Sequence, residues 1–166
     1  YVRYWMHNEF ITIEGKKISK SLGNTVYLSQ LVDRGLSPRA LRYLYLTAHY
    51  RAPMNFTWDS IEGAEAALKR LRHMYLELPP GNLPADPAFV KDFYEALADD
   101  LNTPRALACV WEMLKDNTLS PATKKAGLVL ADKLLALGLG ERGPTASLKV
   151  VPTDALPEGV RELLDA

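Results

Sequence analysis

The helical periodicity of this sequence is strongest in TWDSIEGAEAALKRLRHMYLEL, from Thr57 to Leu78. Its apolar residues recur at intervals of three and four over about five turns, which is the spacing of a single helix face. They are Ile61, Ala64, Leu68, Leu71, Tyr75 and Leu78. Thr57 is predicted to cap this helix, because its side-chain oxygen can accept a hydrogen bond from a free backbone N–H group of the first turn.

Three Ser/Thr-Pro pairs predict the starts of further helices, because a hydroxyl can cap the first turn and proline suits the first helical position. The pairs are Ser37-Pro38, Thr103-Pro104 and Ser120-Pro121. Another predicted helix carries apolar residues at helical spacing, namely Phe89, Phe93, Leu97 and Leu101. The helix after Ser120 is predicted to end at Gly138, since glycine is common just past a helix end.

A short hairpin is the only β element that the sequence predicts. Residues 10–13 alternate as a strand does, Glu14-Gly15 suits a tight turn, and residues 16–18 return. Residues 49–56, which contain Pro53, are predicted to be a loop. The short connections between successive helices favour antiparallel neighbours, so we expect a mainly α fold with an antiparallel helical bundle.

The composition narrows the class of protein. Of 166 residues, 48% are hydrophobic and 24% are charged, which is typical of a globular domain. Twenty basic residues balance twenty acidic ones, so any contact with RNA has to come from local patches. Cys109 is the only cysteine, which excludes a disulfide within the chain and favours an intracellular protein. No apolar run approaches the roughly 20 residues that a membrane span needs, so no membrane partner is expected.

The segment GKKISKSLGN, residues 15–24, has the most chemical content. Its lysines, serine hydroxyls and backbone N–H groups are the charges and donors that bind a polyphosphate. A lysine on such a loop also stabilises a transition state in which the phosphates gain negative charge. The alternative is a solvated basic turn, because lysine-rich motifs discriminate poorly between functions.

Residues 18–24, with Lys17 before them, resemble the Lys-Met-Ser-Lys-Ser signature loop of the class I aminoacyl-tRNA synthetases, and Ile18 replaces the methionine. Residues 4–7 and 10–16, before the loop, and residues 40–44 and 48–56, after it, are similar to the cysteinyl-tRNA synthetase family. The sequence DDLNTP at 99–104 resembles that family's Asp-Asp-Phe-Asn-Thr-Pro segment. These blocks follow one another in the family's order, which identifies the chain as similar to that family over most of its length.

The resemblance implies an enzyme that couples cysteine to ATP, giving cysteinyl-adenylate and pyrophosphate, and then transfers the cysteine to tRNA(Cys). Lys17 and Lys20 would be its catalytic residues in this chain. Lys20, Ser19 and Ser21 would contact the ATP phosphates. The expected partners are tRNA(Cys), ATP and cysteine, and the enzyme is expected to be a cytoplasmic monomer.

The resemblance also implies that part of the active site lies outside this sequence. The family's His-Ile-Gly-His motif is absent, and so are the cysteine, histidine and glutamate ligands of its zinc ion. The resemblance places both upstream. We therefore expect the C-terminal part of a longer enzyme, with zinc bound elsewhere, no metal ligands here, and no adenylate formation by the chain alone.

The family pattern divides the chain into five parts. Residues 1–25 would end a Rossmann-type catalytic domain with the hairpin and the signature loop. Residues 26–78 would form a helical connector, and residues 79–87 a linker. Residues 88–138 would form a tRNA-binding helical bundle of the DALR type, and residues 139–166 a loop and the start of another helix.

Two other functions share part of this pattern. A cysteine ligase that acts on an amino-sugar, as in mycothiol synthesis, has a similar signature loop. Residues 53–56 and 99–104 favour the tRNA enzyme over it. The other alternative is a helical RNA-binding module without catalysis.

The remaining candidates have a structural and a functional interpretation. Residues 49–51, His-Tyr-Arg, are predicted either to clamp RNA or to anchor a helix junction. Residues 69–72 carry a basic strip that either meets an RNA backbone or faces solvent. Asp99 and Asp100 precede a helix start and Cys109 has core spacing, so all three are predicted to be structural.

Overall fold

A computed structural model describes residues 3–19 and 23–141 of the chain. The described part contains a small sheet and six helices, and the prediction of a mainly α fold is confirmed. The elements in chain order are β1 (Ile11–Ile13), β2 (Lys16–Lys17), α1 (Leu28–Asp33), α2 (Pro38–Leu46), β3 (Met54–Phe56), α3 (Trp58–Glu77), α4 (Pro87–Ala98), α5 (Thr103–Lys115) and α6 (Pro121–Leu135). The loop and helix predicted beyond residue 141 lie outside the described residues.

The predicted hairpin is present, and it belongs to a three-stranded sheet of order β2-β1-β3. β1 pairs antiparallel with β2, and the turn places Glu14 at φ 49° and Gly15 at φ 72°. β3 pairs with β1 in parallel, with Ile11 opposite Met54 and Ile13 opposite Phe56. The prediction of a loop over residues 49–56 was therefore wrong at its end. Three residues after a proline are too few to show strand periodicity, and a parallel partner is necessarily distant in sequence.

The predicted helix starts are confirmed at three caps. Ser37, Thr57 and Ser120 each accept a hydrogen bond from a backbone N–H group in the first turn. The predicted cap at Thr103 was one residue off. Asn102 is the N-cap and accepts from the Arg105 N–H at 3.2 Å, so Thr103 is already the first helical residue. An asparagine caps as well as a threonine does, and proline is tolerated anywhere in the first turn.

Two predicted helix ends were also wrong. α4 ends at Ala98, so Leu101 lies beyond it at φ 54° and is about half exposed. α6 ends at Leu135 rather than at Gly138, because Ala136 adopts a left-handed conformation at φ 50°. The leucines that follow, Leu137 and Leu139, are buried as part of the turn and not of the helix.

One hydrophobic core joins the sheet, the first three helices and the last three. α2 packs on α3, α4 on α5, and α5 on α6, while α2 also contacts α5. Across that last contact the Trp111 indole N–H donates to the Tyr43 hydroxyl at 3.0 Å. No helix among the described residues has the length and apolar character needed to cross a membrane.

Candidate functional site

The loop with phosphate-binding character leaves the sheet from β2. The side chains of Lys16 and Lys17 are exposed at this edge, and Ser19 is half-buried. Lys20 and Ser21, two of the predicted ATP-contacting residues, lie outside the described residues, so their roles stay predictions. The chain is described again from Gly23, which has φ +62°. A residue with a side chain is strained at that angle, which accounts for a glycine at the end of the loop.

The hairpin that carries this loop is fixed to the rest of the fold through its turn. The Asn55 side-chain oxygen accepts from the Gly15 N–H at 2.8 Å and from the Thr12 hydroxyl at 2.9 Å. The Glu14 carboxylate accepts from the N–H of Trp58, the first residue of α3, at 3.1 Å. The turn before β2 is therefore held in place by hydrogen bonds to β3 and to the first residue of α3.

The two ends of the loop are joined by one side chain. The Asn24 Oδ1 atom accepts from the Ser19 N–H at 2.9 Å, and its Nδ2 atom donates to the Lys17 carbonyl at 3.0 Å. Both bonds cross the loop, because Asn24 lies five residues after Ser19 and seven after Lys17. Asn24 is the last residue of the segment GKKISKSLGN, and its residue type alone does not indicate this role.

A groove of about 350 Å³ lies beside the loop, between the hairpin, α1 and the start of α3. Gly23 and Asn24 form part of its wall. The Arg34 guanidinium lies 3.7 Å from the centre of the Trp58 ring, a cation–π contact at the same groove. Within the described part of the chain, neither Lys16, Lys17 nor Arg34 has a carboxylate within ion-pair distance. Positive charge that is not neutralised locally is available for a phosphate ligand.

The basic strip predicted on α3 is engaged within the fold. Lys69 pairs with Glu65 at 3.2 Å, Arg70 lies over the Trp111 ring at 5.5 Å, and Arg72 donates to the Glu141 carbonyl at 2.6 Å. These side chains have partners in the same molecule, which weakens the interpretation that they are a free surface for RNA.

Several other cations cap the carboxyl ends of helices, a use that the sequence analysis missed. Lys124 donates to the Leu114 carbonyl of α5 at 2.9 Å, and Lys125 donates to the Tyr75 carbonyl of α3. Arg42 donates to the Leu135 carbonyl of α6 at 2.6 Å. Positive charge at a helix C-terminus satisfies free carbonyls and complements the helix dipole. No sequence signal could find these contacts, since each cation lies on a different helix from its carbonyl.

The segment His49-Tyr50-Arg51 anchors a junction between the sheet and the helices. The Tyr50 hydroxyl donates to one Asp100 oxygen at 2.5 Å, and Arg51 Nε donates to the other at 2.6 Å. The hydrogen bond from Tyr50, and then that from Arg51, holds the pKa of the Asp100 carboxyl below its usual value. Asp100 has φ 49°, so the turn before α5 is strained and these bonds hold it in place. The structure supports the anchor interpretation of this segment and the structural interpretation of Asp100.

Neither a reactive cysteine nor a metal-binding cluster is found among the described residues. Burial raises the pKa of the Cys109 thiol, and the Glu112 carboxylate raises it further, which makes the thiolate less available. Within residues 3–19 and 23–141, no group of three histidine, cysteine, aspartate or glutamate side chains lies close enough together to hold a metal ion.

Two family models match the chain. Residues 1–66 match the model described as the class I (C) tRNA synthetase catalytic domain, and residues 92–137 match the DALR domain. The first match contains the hairpin, the signature loop and β3. The second contains most of α4, together with α5 and α6.

Similar proteins include cysteine–tRNA ligase 1 of Burkholderia lata, which is 46% identical over 97% of this chain and 33% of its own length. Cysteine–tRNA ligase of Thermus thermophilus is 38% identical over 99% of this chain and 37% of its own length. The corresponding ligase of a Sulfurihydrogenibium species is 37% identical over 77% of this chain and 29% of its own length. The chain thus spans about a third of the length of the curated relatives that it matches.

Proposed function

The chain belongs to the cysteinyl-tRNA synthetase family, and we propose from this that it supplies the triphosphate-binding loop and part of the tRNA-binding surface of a cysteine–tRNA ligase. In the first step of the proposed reaction, a carboxylate oxygen of cysteine attacks the α-phosphorus of ATP. The bond from that phosphorus to the bridging oxygen breaks, and pyrophosphate leaves. In the second step the cysteinyl group passes to the 3′ end of tRNA(Cys) and AMP is released.

The observation that carries the proposal is the signature loop on its anchored hairpin. Lys16 and Lys17 stand at its base without a carboxylate partner among the described residues, and Asn24 and Asn55 hold the backbone around them. As pyrophosphate leaves, negative charge grows on the β- and γ-phosphates, and fixed positive charge stabilises that change selectively. We propose that Lys20 is the main contact to the triphosphate and that Lys17, with Ser19 and Ser21, shapes the loop around it.

ATP as substrate follows from the class I synthetase family. We propose that the zinc ion of the full-length enzyme is held by ligands outside this chain; among residues 3–19 and 23–141, no three candidate ligands lie close enough together to hold a metal ion. We propose a monomeric enzyme that works in the cytoplasm, where the tRNA is used. We also propose that residues 88–138 contribute to tRNA binding, which the DALR match supports.

The amino-sugar ligase alternative has weaker support. The curated relatives quoted above are all named as tRNA ligases, and residues 92–137 match a domain model in addition to the catalytic one. Aminoacylation of tRNA(Cys) by the purified enzyme, set against amide formation with an amino-sugar, separates the two functions.

The direct test is ATP–pyrophosphate exchange with cysteine, using the protein expressed from its complete reading frame. We expect Lys20→Ala to lower kcat by about 10²–10³-fold, the usual cost of removing one transition-state charge contact, and Lys17→Ala by less. Lys133→Ala is the matched control, because Lys133 is an exposed lysine on α6 far along the chain from the loop. Exchange that prefers another amino acid, or that is unchanged in Lys20→Ala, contradicts the proposal.

The chain by itself gives a second test. A lysine loop supplies charge but neither a cysteine pocket nor a full nucleotide site, so we expect no adenylate formation by residues 1–166 alone. Measurable cysteine-dependent exchange by the purified 166-residue chain would show that the active site is distributed differently from this proposal.

A further inference from the structure

Asn24 is built into the loop in a way that another side chain cannot reproduce. Its carboxamide uses its acceptor on the Ser19 N–H and its donor on the Lys17 carbonyl, at 2.9 and 3.0 Å. Aspartate keeps an acceptor and loses the donor, alanine loses both, and glutamine is longer by one methylene. The two bonded groups flank Ile18, so one side chain fixes the backbone on both sides of a single residue.

The residues that Asn24 holds, Lys17 and Ser19, are two of those proposed to shape the loop around the triphosphate. The Lys17 amine has no carboxylate partner among the described residues, so no ion pair fixes the position of its side chain. Its location therefore depends on where its backbone is held. The anchors of the hairpin, Asn55 and Glu14, act at the turn on the other side of β2 and do not reach the loop.

We propose that Asn24 is a positioning residue for the adenylation step, acting through the Lys17 carbonyl and the Ser19 amide. The inference rests on the proposed function. By fixing the Lys17 carbonyl and the Ser19 amide before ATP binds, Asn24 reduces the conformational entropy that the backbone on either side of Ile18 would lose when phosphate contacts form. The two backbone groups belong to the proposed phosphate-binding loop. Loss of the Asn24 bonds should therefore change the rate of the chemical step and the use of ATP more than the binding of cysteine.

The two hydrogen bonds of Asn24, to the Ser19 N–H and the Lys17 carbonyl, are called the clamp below. Two variants test the clamp itself and its proposed effect on adenylation separately. In Asn24→Ala both bonds are lost, and in Asn24→Asp only the acceptor for the Ser19 N–H remains. Asn82→Ala is the control, because Asn82 is an exposed asparagine in the connection between α3 and α4, outside both the loop and the proposed tRNA-binding bundle. Amide hydrogen exchange at Ser19 reports the clamp directly. ATP–pyrophosphate exchange, in the protein from the complete reading frame, reports the consequence.

We expect the Ser19 amide to be protected in the wild-type protein and in Asn24→Asp, and to lose protection in Asn24→Ala. We expect kcat of Asn24→Ala to fall about 10- to 100-fold, which corresponds to two hydrogen bonds that matter in the transition state, with the KM for cysteine unchanged. The kcat of Asn24→Asp should lie between those of Asn24→Ala and the wild-type protein, and Asn82→Ala should match the wild-type protein. The melting temperature should change little in any of them.

Three results would overturn the inference. One is a Ser19 amide that exchanges equally fast in the wild-type protein and in Asn24→Ala. Another is an Asn24→Ala enzyme whose kcat and KM for ATP stay within twofold of wild type. The third is a loss of activity that follows a lowered melting temperature and affects the KM for cysteine equally, which indicates general destabilisation. A wild-type protein without cysteine-dependent exchange refutes the proposed function instead, and the Ser19 amide then decides the clamp alone.

Discussion

Replacing Glu65 is the change whose effect on the free energy of unfolding can be worked out most directly from the structure. It lies on α3 with 6% of its surface exposed, although a glutamate on a helix normally faces solvent. One carboxylate oxygen accepts from the Ser37 N–H at 2.9 Å, and the other pairs with Lys69 at 3.2 Å. Ser37 is itself 4% exposed and is the N-cap of α2. The carboxylate therefore satisfies a buried donor and adds negative charge at a helix start.

The expected cost of Glu65→Ala is the sum of two terms. Leaving the buried Ser37 N–H without an acceptor costs about 1–3 kcal/mol, because water cannot easily replace the carboxylate there. Loss of the negative charge at the N-terminus of α2 costs about 0.3–1 kcal/mol more. The pair with the exposed Lys69 amine adds little. We expect Glu65→Ala to lower the free energy of unfolding by about 1–4 kcal/mol.

Urea unfolding of the chain, followed by circular dichroism, measures this cost. Glu65→Gln keeps an oxygen acceptor without the charge, so it should cost only about 1 kcal/mol. Glu62→Ala, on the exposed face of the same helix, should change the free energy of unfolding by less than about 0.5 kcal/mol. If Glu65→Ala is as stable as Glu62→Ala, or if Glu65→Gln is as damaging as Glu65→Ala, the assignment of the cost to an unsatisfied donor is wrong.

Further outcomes follow at the sheet–helix junction, the end of α6 and the single thiol. Asp100 raises the pKa of Tyr50 by accepting its hydrogen bond, so Asp100→Asn should move the NMR titration of the Tyr50 ring toward the ordinary value; an unmoved titration contradicts the contact. The pKa of Asp100 is depressed, so its stabilisation is present above the usual pKa of an aspartate and is lost as the pH falls through the lowered one. Asp100→Asn should therefore be less stable than the wild-type protein in urea at neutral pH, and the difference should shrink at acid pH; a difference that grows on acidification contradicts the sign. An alanine at Gly138 would be strained because the backbone there has φ +66°, and its methyl group would also displace the flexible Arg39 guanidinium, so Gly138→Ala should destabilise the chain by about 1–2 kcal/mol in urea unfolding. Iodoacetamide should alkylate Cys109 more slowly at pH 8 than it does a free cysteine, because burial raises the pKa of the thiol; equal rates would show an open site.

The helical part of the fold was largely predictable because its signals are local. A cap such as Thr57 and a stripe such as Ile61 to Leu71 depend on residues within one helix, and both predictions are confirmed. Errors arose where two local signals competed. Asn102 and Thr103 both suit a cap, and Gly138 and Ala136 are both possible helix ends, until particular hydrogen bonds select one of them. At the end of α6 that selection comes from Asp132, whose carboxylate accepts from three successive N–H groups at 2.8, 2.8 and 2.9 Å.

For the candidate site, the residue types of 15–24 suit phosphate binding or a solvated basic turn, and it is the resemblance of the surrounding blocks that favours the first. The phosphate contacts themselves stay predictions, and the residue types did not indicate how the loop is supported. The contacts that hold the loop depend on geometry. Asn55 bonds to Gly15, 40 residues away, because β3 lies beside β1 in parallel. β3 has only three residues, too few for the sequence to predict this pairing.

The sequence by itself determined the mainly α composition of the fold, most helix starts and the position of the signature loop. Each of these depends on interactions between residues that are near one another in the chain. Only the tertiary structure decided that Glu65 is buried, that Lys124, Lys125 and Arg42 cap helix ends, and that Asn24 ties the loop together. A buried or paired charge looks the same in sequence as a solvated one, because its partner is brought to it only when the helices pack.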